Sequence, residues 1–320
     1  MTRKTQLGLA LGFLALLHGA IALAGYLAPY DYAEQHREHP YAPPTRVHFI
    51  DAGRFHFRPF VYGLSAHGEE DLSRRYPVRL GISGRLFGVD PPGSIFLLGS
   101  DGYGRDVFSR VLYGGRVSLL TGLAAAFLSL ALGLLFGAAA GYWGGWTDQL
   151  LMRGAELLMA LPWLYLLLGA RAFLPLHISA FQSFFLLTAI IGAVGWVRPA
   201  RLVRGVVLSA RERGFVEAAR GFGASDLYLL RRHVLPLTWG VALTQATVLI
   251  PRYVLAEVAL SFLGLGVGEP LPSWGNMLAE ARQYHALVSH TWMLAPGLAA
   301  IPILLGYLVL ADTLAARRSP

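Results

Sequence analysis

The chain has 320 residues, of which 55% are hydrophobic and only 14% charged, and its formal net charge is +8. Soluble domains average about 25% charged residues, so this composition points to a lipid bilayer. The absence of cysteine excludes a disulfide framework or thiolate metal site, and Lys4, the only lysine, stands outside any glycine-rich turn, which excludes a Walker A phosphate loop. Much of the arginine lies in loops beside apolar runs. Membrane orientation therefore explains the positive charge without a nucleic-acid partner.

Residues 7–28 are apolar apart from His18, long enough for one span of about 20 residues. Arg3 and Lys4 before the run and Ala22-Leu23-Ala24 near its end also suit a cleaved signal peptide, but the length favours a retained span. Residues 29–100 are rich in proline and paired charges and contain His36, His39, His48, His56 and His67. Polar and apolar residues alternate at 46–49 and 54–57, which predicts short strands, with others at 76–80 and 95–98. From Tyr30 to Arg116 there are 11 arginines and 10 acidic residues, so the segment is nearly neutral. Residues 31–97 read as a small extracytoplasmic insert. His36 and His39 could share a helical face, but Pro40 follows and no carboxylate or thiol set accompanies them. Exposed histidines and no metal site are expected.

Residues 98–119 read LGSDGYGRDVFSRVLYGGRVSL. The stretch resembles GTDxxGRDxxSRLLYGARxSL, found ahead of the second span in ABC importer permeases of the dipeptide/oligopeptide/nickel class. The match runs through Gly99, Asp101, Gly104, Arg105, Asp106, Ser109, Arg110, Tyr113, Gly114, Arg116 and Ser118, with Ser100 in place of threonine. Residues 98–116 are expected to form an amphipathic lead-in that braces the span entrance. In that reading Arg105, Asp106 and Arg110 pair locally, and Val107, Val111 and Leu112 lie on the membrane.

The second span is expected at 117–142. Its Gly133, Gly137 and Gly141 make a small-xxx-small row for close helix approach, more simply within the chain than against a partner. The third span, 150–170, opens near Asp148 and an Arg153–Glu156 pair three residues apart. Pro162 is a candidate kink and gate. After a short external loop comes the fourth span, 180–197. Then Arg198, Arg201, Arg204, Arg211, Arg213, Arg220, Arg231 and Arg232 crowd one loop, 198–236, the strongest positive-inside signal in the chain.

That loop contains RERGFVEAARGFGASDLYLLRRHVLP. Phe215, Ala219 and Phe222 fall at i, i+4 and i+7 and share a helical face. Gly223 suits a left-handed C-terminal cap. Ser225 suits an N-cap with Asp226 beside it, and Pro236 ends the second helix. Glu217-Ala218-Ala219, then Gly223, then Leu235-Pro236 resembles the EAA loop of ABC importer permeases, with His233 at a position usually apolar. The resemblance implies a helix seated in a cleft of an ATPase subunit. Its coupling residues would be Phe215, Glu217, Ala218, Ala219, Phe222, Gly223, Ala224, Leu235 and Pro236.

The fifth span, 237–265, is divided by Pro251. Arg252 and Glu257 are costly in lipid and should face protein or water, which makes them candidate pathway residues. The run from Glu257 to Gly266 resembles AEAGLSFLGLG of the same permease class, and within the external loop 267–290 Pro270–Pro272, Ser273-Trp274-Gly275 and Met277–Arg282 resemble its PSWGxMLxExR segment. Trp274 is expected to anchor at the membrane interface. The sixth span, 291–311, ends at Asp312, before Arg317 and Arg318.

The expected architecture is an all-α integral membrane protein with six transmembrane helices. Residues 1–30 hold the N-terminus and first span, 117–313 the five-helix core, and 314–320 a tail, with both termini cytoplasmic. The resemblance identifies a C-type permease subunit of a dipeptide/oligopeptide-class importer in a prokaryotic inner membrane, with the type I importer fold. It implies a homologous second permease, two cytoplasmic ATPases that bind ATP and magnesium, and an extracytoplasmic solute-binding protein. This chain would bind no cofactor and catalyse no reaction; neither HExxH nor GxSxG occurs. Peptide cargo is expected, with nickel or another small solute as the alternative. An ATP-independent secondary transporter would need more ionisable mid-membrane residues than Arg252 and Glu257. A membrane enzyme would need a nucleophile–base pair that the sequence does not show.

Overall fold

A computed structural model describes residues 3–51, 53–65, 68–173, 175, 178–282 and 288–316. Helix α1 (Arg3–Ala22) is followed by the single turn α2 (Ala24–Leu27). The insert then forms an antiparallel sheet of β1 (His48–Asp51), β2 (Arg54–Leu64) and β3 (Glu70–Pro77) in that order, and a ribbon of β4 (Arg79–Leu80) and β5 (Phe87–Gly88). Residues 95–98, expected as a strand, are irregular. Phe96 is buried and bonds to Thr45 instead: its N–H donates to Thr45 Oγ1 at 2.9 Å and its carbonyl accepts from Thr45 N at 2.7 Å. The described histidines of this segment are not freely exposed either. His36 packs edge-on to Tyr30 and Phe96, and His48 lies 3.1 Å from Glu70. Among the described residues no group of three histidines or carboxylates could hold a metal. His67, Arg317 and Arg318 lie outside the described residues.

The lead-in and second span form one helix, α3 (Val107–Trp143), of 37 residues. At 1.5 Å per residue it is about 55 Å long, so it runs well beyond a hydrocarbon core of about 30 Å. Asp106 caps it, with Oδ2 accepting from Ser109 N at 2.8 Å and Ser109 Oγ at 2.6 Å. The third span is broken: α4 (Gly145–Ala160) and α5 (Trp163–Ala172) meet at 97°. Leu161, held extended before Pro162, ends α4. The expected kink is therefore a sharp corner.

Helices α6 (Ala180–Gly195) and α7 (Val197–Arg211) run on without a loop at Arg198. Val197, Ala200, Val203, Val207 and Ala210 make a buried stripe that keeps α7 helical against α3. Gly133, Gly137 and Gly141 face this stripe. A Cβ at Gly137 would strike the Ala200 carbonyl, and one at Gly141 would lie 2.9 Å from the Arg204 carbonyl. The glycine row thus serves packing within the chain.

Next come α8 (Gly214–Gly221) and α9 (Asp226–Leu229). The helical path does not stop at Pro236. A π-turn over Leu230–Val234 and a 3-10 turn over Leu235–Thr238 lead into α10 (Trp239–Phe262). Pro236 stands at the start of the 3-10 turn, where its fixed φ is tolerated although it has no N–H to give the preceding turn. Helices α11 (Trp274–Glu280) and α12 (Ala295–Ala316) complete the chain. Among the described residues five helices are long and apolar enough to span a membrane, or six with the broken pair counted as one.

The stretch leading into α3 departs from the local pairing expected. Arg105 donates to Asp101 Oδ2 at 2.6 Å and reaches Glu269 and Glu280 at 2.8 and 2.9 Å; Arg110 reaches the same two glutamates. Asp106 is occupied by its cap. Val107 and Val111 pack on Met277, Ala281 and Met293, not on lipid. Trp274 is no interfacial anchor: it is 1% exposed, and its ring N–H donates to the Val111 carbonyl at 2.9 Å. Apart from Asp101, these partners lie more than 150 residues apart in sequence, so local spacing could not reveal them.

Candidate functional site

Two features stand out: a platform built on α8 and a cleft at the broken span. In the platform, Gly223 has φ +85°, and Ala224 N donates to the Ala219 carbonyl at 3.1 Å while Gly223 N donates to Arg220 at 2.9 Å. This pair of bonds is a Schellman motif. It turns the chain sharply into α9. Ser225 occupies the N-cap position of α9 without a side-chain cap bond. Asp226 is used otherwise: Tyr142 Oη donates to it at 2.8 Å, tying α9 to the end of α3.

One side of the platform is sealed. Val216, Leu229, Leu230 and Val234 pack against Ala138, Tyr142, Val203, Val207 and Ala210. Arg211 donates to the Gly141 and Tyr142 carbonyls at 3.2 Å, and Arg204 donates to Asp148 Oδ2 at 2.6 Å. The other side is open. Phe222 is 93% exposed and Phe215 46%, with Leu227 and Tyr228 also exposed. Glu217, Ala218, Gly223 and Pro236 are exposed too. Ala219, expected beside the two phenylalanines, is half-buried at the boundary, as are Ala224 and Leu235. His233 lies 6.1 Å from the Phe215 ring and 5.7 Å from Tyr228, so an aromatic ring fills the position expected to be apolar.

The cleft has a volume of about 190 Å³ and lies at the α4–α5 corner. Arg252 stacks on Trp163, its guanidinium carbon 4.5 Å from the ring centroid. Trp163 in turn stacks on Tyr253, whose hydroxyl lies 2.8 Å from Ser129 Oγ. The structure therefore brings the Pro162 corner and Arg252 together. Glu257 is elsewhere. Five residues along a helix is about 140° around it, and Glu257 is fully buried, accepting from Ser261 Oγ at 2.6 Å. Around the start of α3, burial pushes the carboxyls of Asp106 and Glu280 up to about 7. For Glu269 burial acts in the same direction, but Arg110 and Arg105 outweigh it and hold the group below the usual carboxylate range.

A family model describing the binding-protein-dependent transport system inner membrane component matches residues 133–320. The chain belongs to this family. The oligopeptide transport system permease protein OppC of Haemophilus influenzae is 41% identical over 183 residues, 57% of this chain and 57% of that protein. The OppC of Bacillus subtilis is 36% identical over 204 residues, 64% of each chain. The chain thus matches somewhat under two thirds of these relatives' lengths. A solved structure of the MetNI methionine ABC transporter, inward facing, aligns with a TM-score of 0.47 at 16% identity, over 67% of this chain and 98% of that one.

In this inner membrane component, sequence reasoning missed the residues that seat the platform, chiefly Tyr142, Val216 and Leu229. Val216 stands one position from Phe215, and only the packed structure tells the sealed face from the open one. It also missed Trp163 and Arg198 in the cleft. Trp163 follows Pro162 directly and Arg198 opens the arginine cluster, so each had a signal that was attributed to its neighbours.

Proposed function

We propose that this chain is one membrane-spanning subunit of an ATP-driven importer of di- or oligopeptides. The observation that carries this reading is the platform: an amphipathic helix sealed to α3 and α7 on one side and presenting Phe215 and Phe222, unburied, on the other. An exposed aromatic face on a short, rigidly capped helix suits the groove of another protein. The peptide class rests on the two oligopeptide permease relatives.

In this reading two ATPases bind ATP and magnesium on the cytoplasmic side, with the arginine-rich loop and both termini. A second, homologous permease completes the pathway, and an extracytoplasmic binding protein delivers cargo. Closure of the ATPases draws on α8. The movement passes through Tyr142–Asp226 and Arg211 into α3 and α7, and the path turns outward. This chain supplies binding and movement, and the ATPases supply the chemistry. The test is purification of the tagged chain from its native membrane with its partners, then reconstitution. ATP-dependent uptake of a dipeptide, lost when the ATPases are omitted, supports the proposal. Uptake independent of ATP would overturn it in favour of a secondary transporter.

A further inference from the structure

Several arginines near the membrane have hydrogen-bonded partners within the chain. Arg204 is paired with Asp148, Arg211 with the carbonyls that end α3, and Arg171 with the Leu265 carbonyl. The α4–α5 cleft is different. Arg198 and Arg252 both line it, near enough to repel each other, and among the described residues no carboxylate lines it. Arg252 stands ten residues from the outer end of α10, about 15 Å into the span. A cation at that depth is costly unless it faces water, protein or a ligand. Two cations sharing one cleft raise that cost.

The surroundings hold Arg252 in place. Ser129 fixes the Tyr253 hydroxyl, Tyr253 stacks on Trp163 with rings 18° apart, and Trp163 carries the guanidinium on its face. A ring on the face of a guanidinium leaves its N–H edge free for a planar, bidentate partner such as carboxylate. At about 190 Å³ the cleft is below the roughly 300 Å³ of small-molecule pockets. It has room for one end group with water, not for a whole peptide.

We propose that Arg198 and Arg252 form a carboxylate-binding station that takes the free C-terminal carboxylate of the transported solute. The assignment of cargo rests on the importer reading above; the binding of a carboxylate does not. The anion could come from cargo or from a lipid phosphate, and the test separates them.

The full chain, with the partners that purify with it, is placed in phosphatidylcholine nanodiscs. N-acetyl-dialanine and its C-terminal amide are titrated, and the thermal midpoint is followed. The acid should raise the midpoint saturably and the amide should not. Arg252→Gln should abolish the rise, Arg252→Lys should keep part of it, and Arg198→Gln should weaken affinity by about tenfold. Arg198 is exposed, so that variant keeps the test readable if Arg252→Gln fails to fold. Equal stabilisation by the amide, or an undiminished response in both glutamine variants, overturns the proposal. The titration is repeated in discs containing phosphatidylglycerol. A response that persists supports a cargo site. Loss of the response there, with phosphatidylglycerol retained by the wild type and not by Arg252→Gln, assigns the cleft to lipid phosphate and overturns the cargo site. A chain that binds the acid but shows no ATP-driven uptake fails the importer reading alone.

Discussion

Phe222 and Val216 separate docking from folding on one short helix. Phe222 is 93% exposed and Val216 is fully buried. Phe222→Ala removes a side chain that the isolated chain leaves in solvent, so the stability of the chain should change by less than about 0.5 kcal/mol. If the ring is buried in an ATPase groove, its loss should cost about 1.5–3 kcal/mol of docking, or roughly 10- to 150-fold in Kd. Phe215→Ala should cost less, because that ring is already half covered. Val216→Ala should act in the opposite way. It removes methyl groups from the seam with α7 and should destabilise the platform by about 1–3 kcal/mol. The assay is titration of the purified ATPase onto the chain in nanodiscs, with hydrogen exchange across α8 and α9 as the stability measure. Phe222→Ala that binds ATPase as tightly as the wild type would refute the docking face. Loss of exchange protection in Phe222→Ala would show that the exposed ring supports the fold instead.

Gly223→Val should uncouple ATP hydrolysis from uptake while the spans stay folded. The backbone has φ +85° there, no atom lies within 4 Å of an added Cβ, and a left-handed conformation costs a non-glycine residue about 1–2 kcal/mol; coupled uptake at the wild-type rate would argue against the cap. Gly137→Ala should lower the thermal midpoint through a clash with the Ala200 carbonyl, at a cost of about 1–3 kcal/mol; an unchanged midpoint would mean that α3 and α7 separate freely. Asp106 is pushed from its ordinary 3.8 up to about 7 by burial. The folded state therefore holds this proton more tightly than the unfolded chain, and stability should fall as pH rises from about 4 to about 7. Glu280 acts with the same sign, so Asp106→Asn should flatten the decline without removing it, as read from thermal midpoints across that range. A steeper decline in the variant would show that the carboxyl is ionised in the folded state.

Elements whose causes are local were legible in the sequence. Apolar runs of span length, the arginine cluster after Trp196, and the Gly223 turn each depend on residues within a few positions of one another. Their physics is hydrophobic length, positive charge near a membrane face, and the absence of a Cβ. The open face of α8 was nearly legible, since the spacing of Phe215 and Phe222 defines a side. Ala219 was misplaced because it packs against the buried cluster that includes Val216 and Leu229. Pro162 announced a kink, but the 97° angle depends on how α4 and α5 pack afterwards.

What the tertiary structure decided is how distant charges and rings are partnered. Arg105 and Arg110 meet Glu269 and Glu280 because the ends of α3 and α11 pack together. Trp274 is buried because α3 passes over it. Arg198 joins Arg252 in one cleft because the close packing of Gly195 on Tyr253 draws α6 against α10. A guanidinium can pair with any carboxylate, carbonyl or ligand within reach. Its own sequence neighbourhood supplies only a few of those, so the partner it takes is determined by which helices the hydrophobic seams bring together.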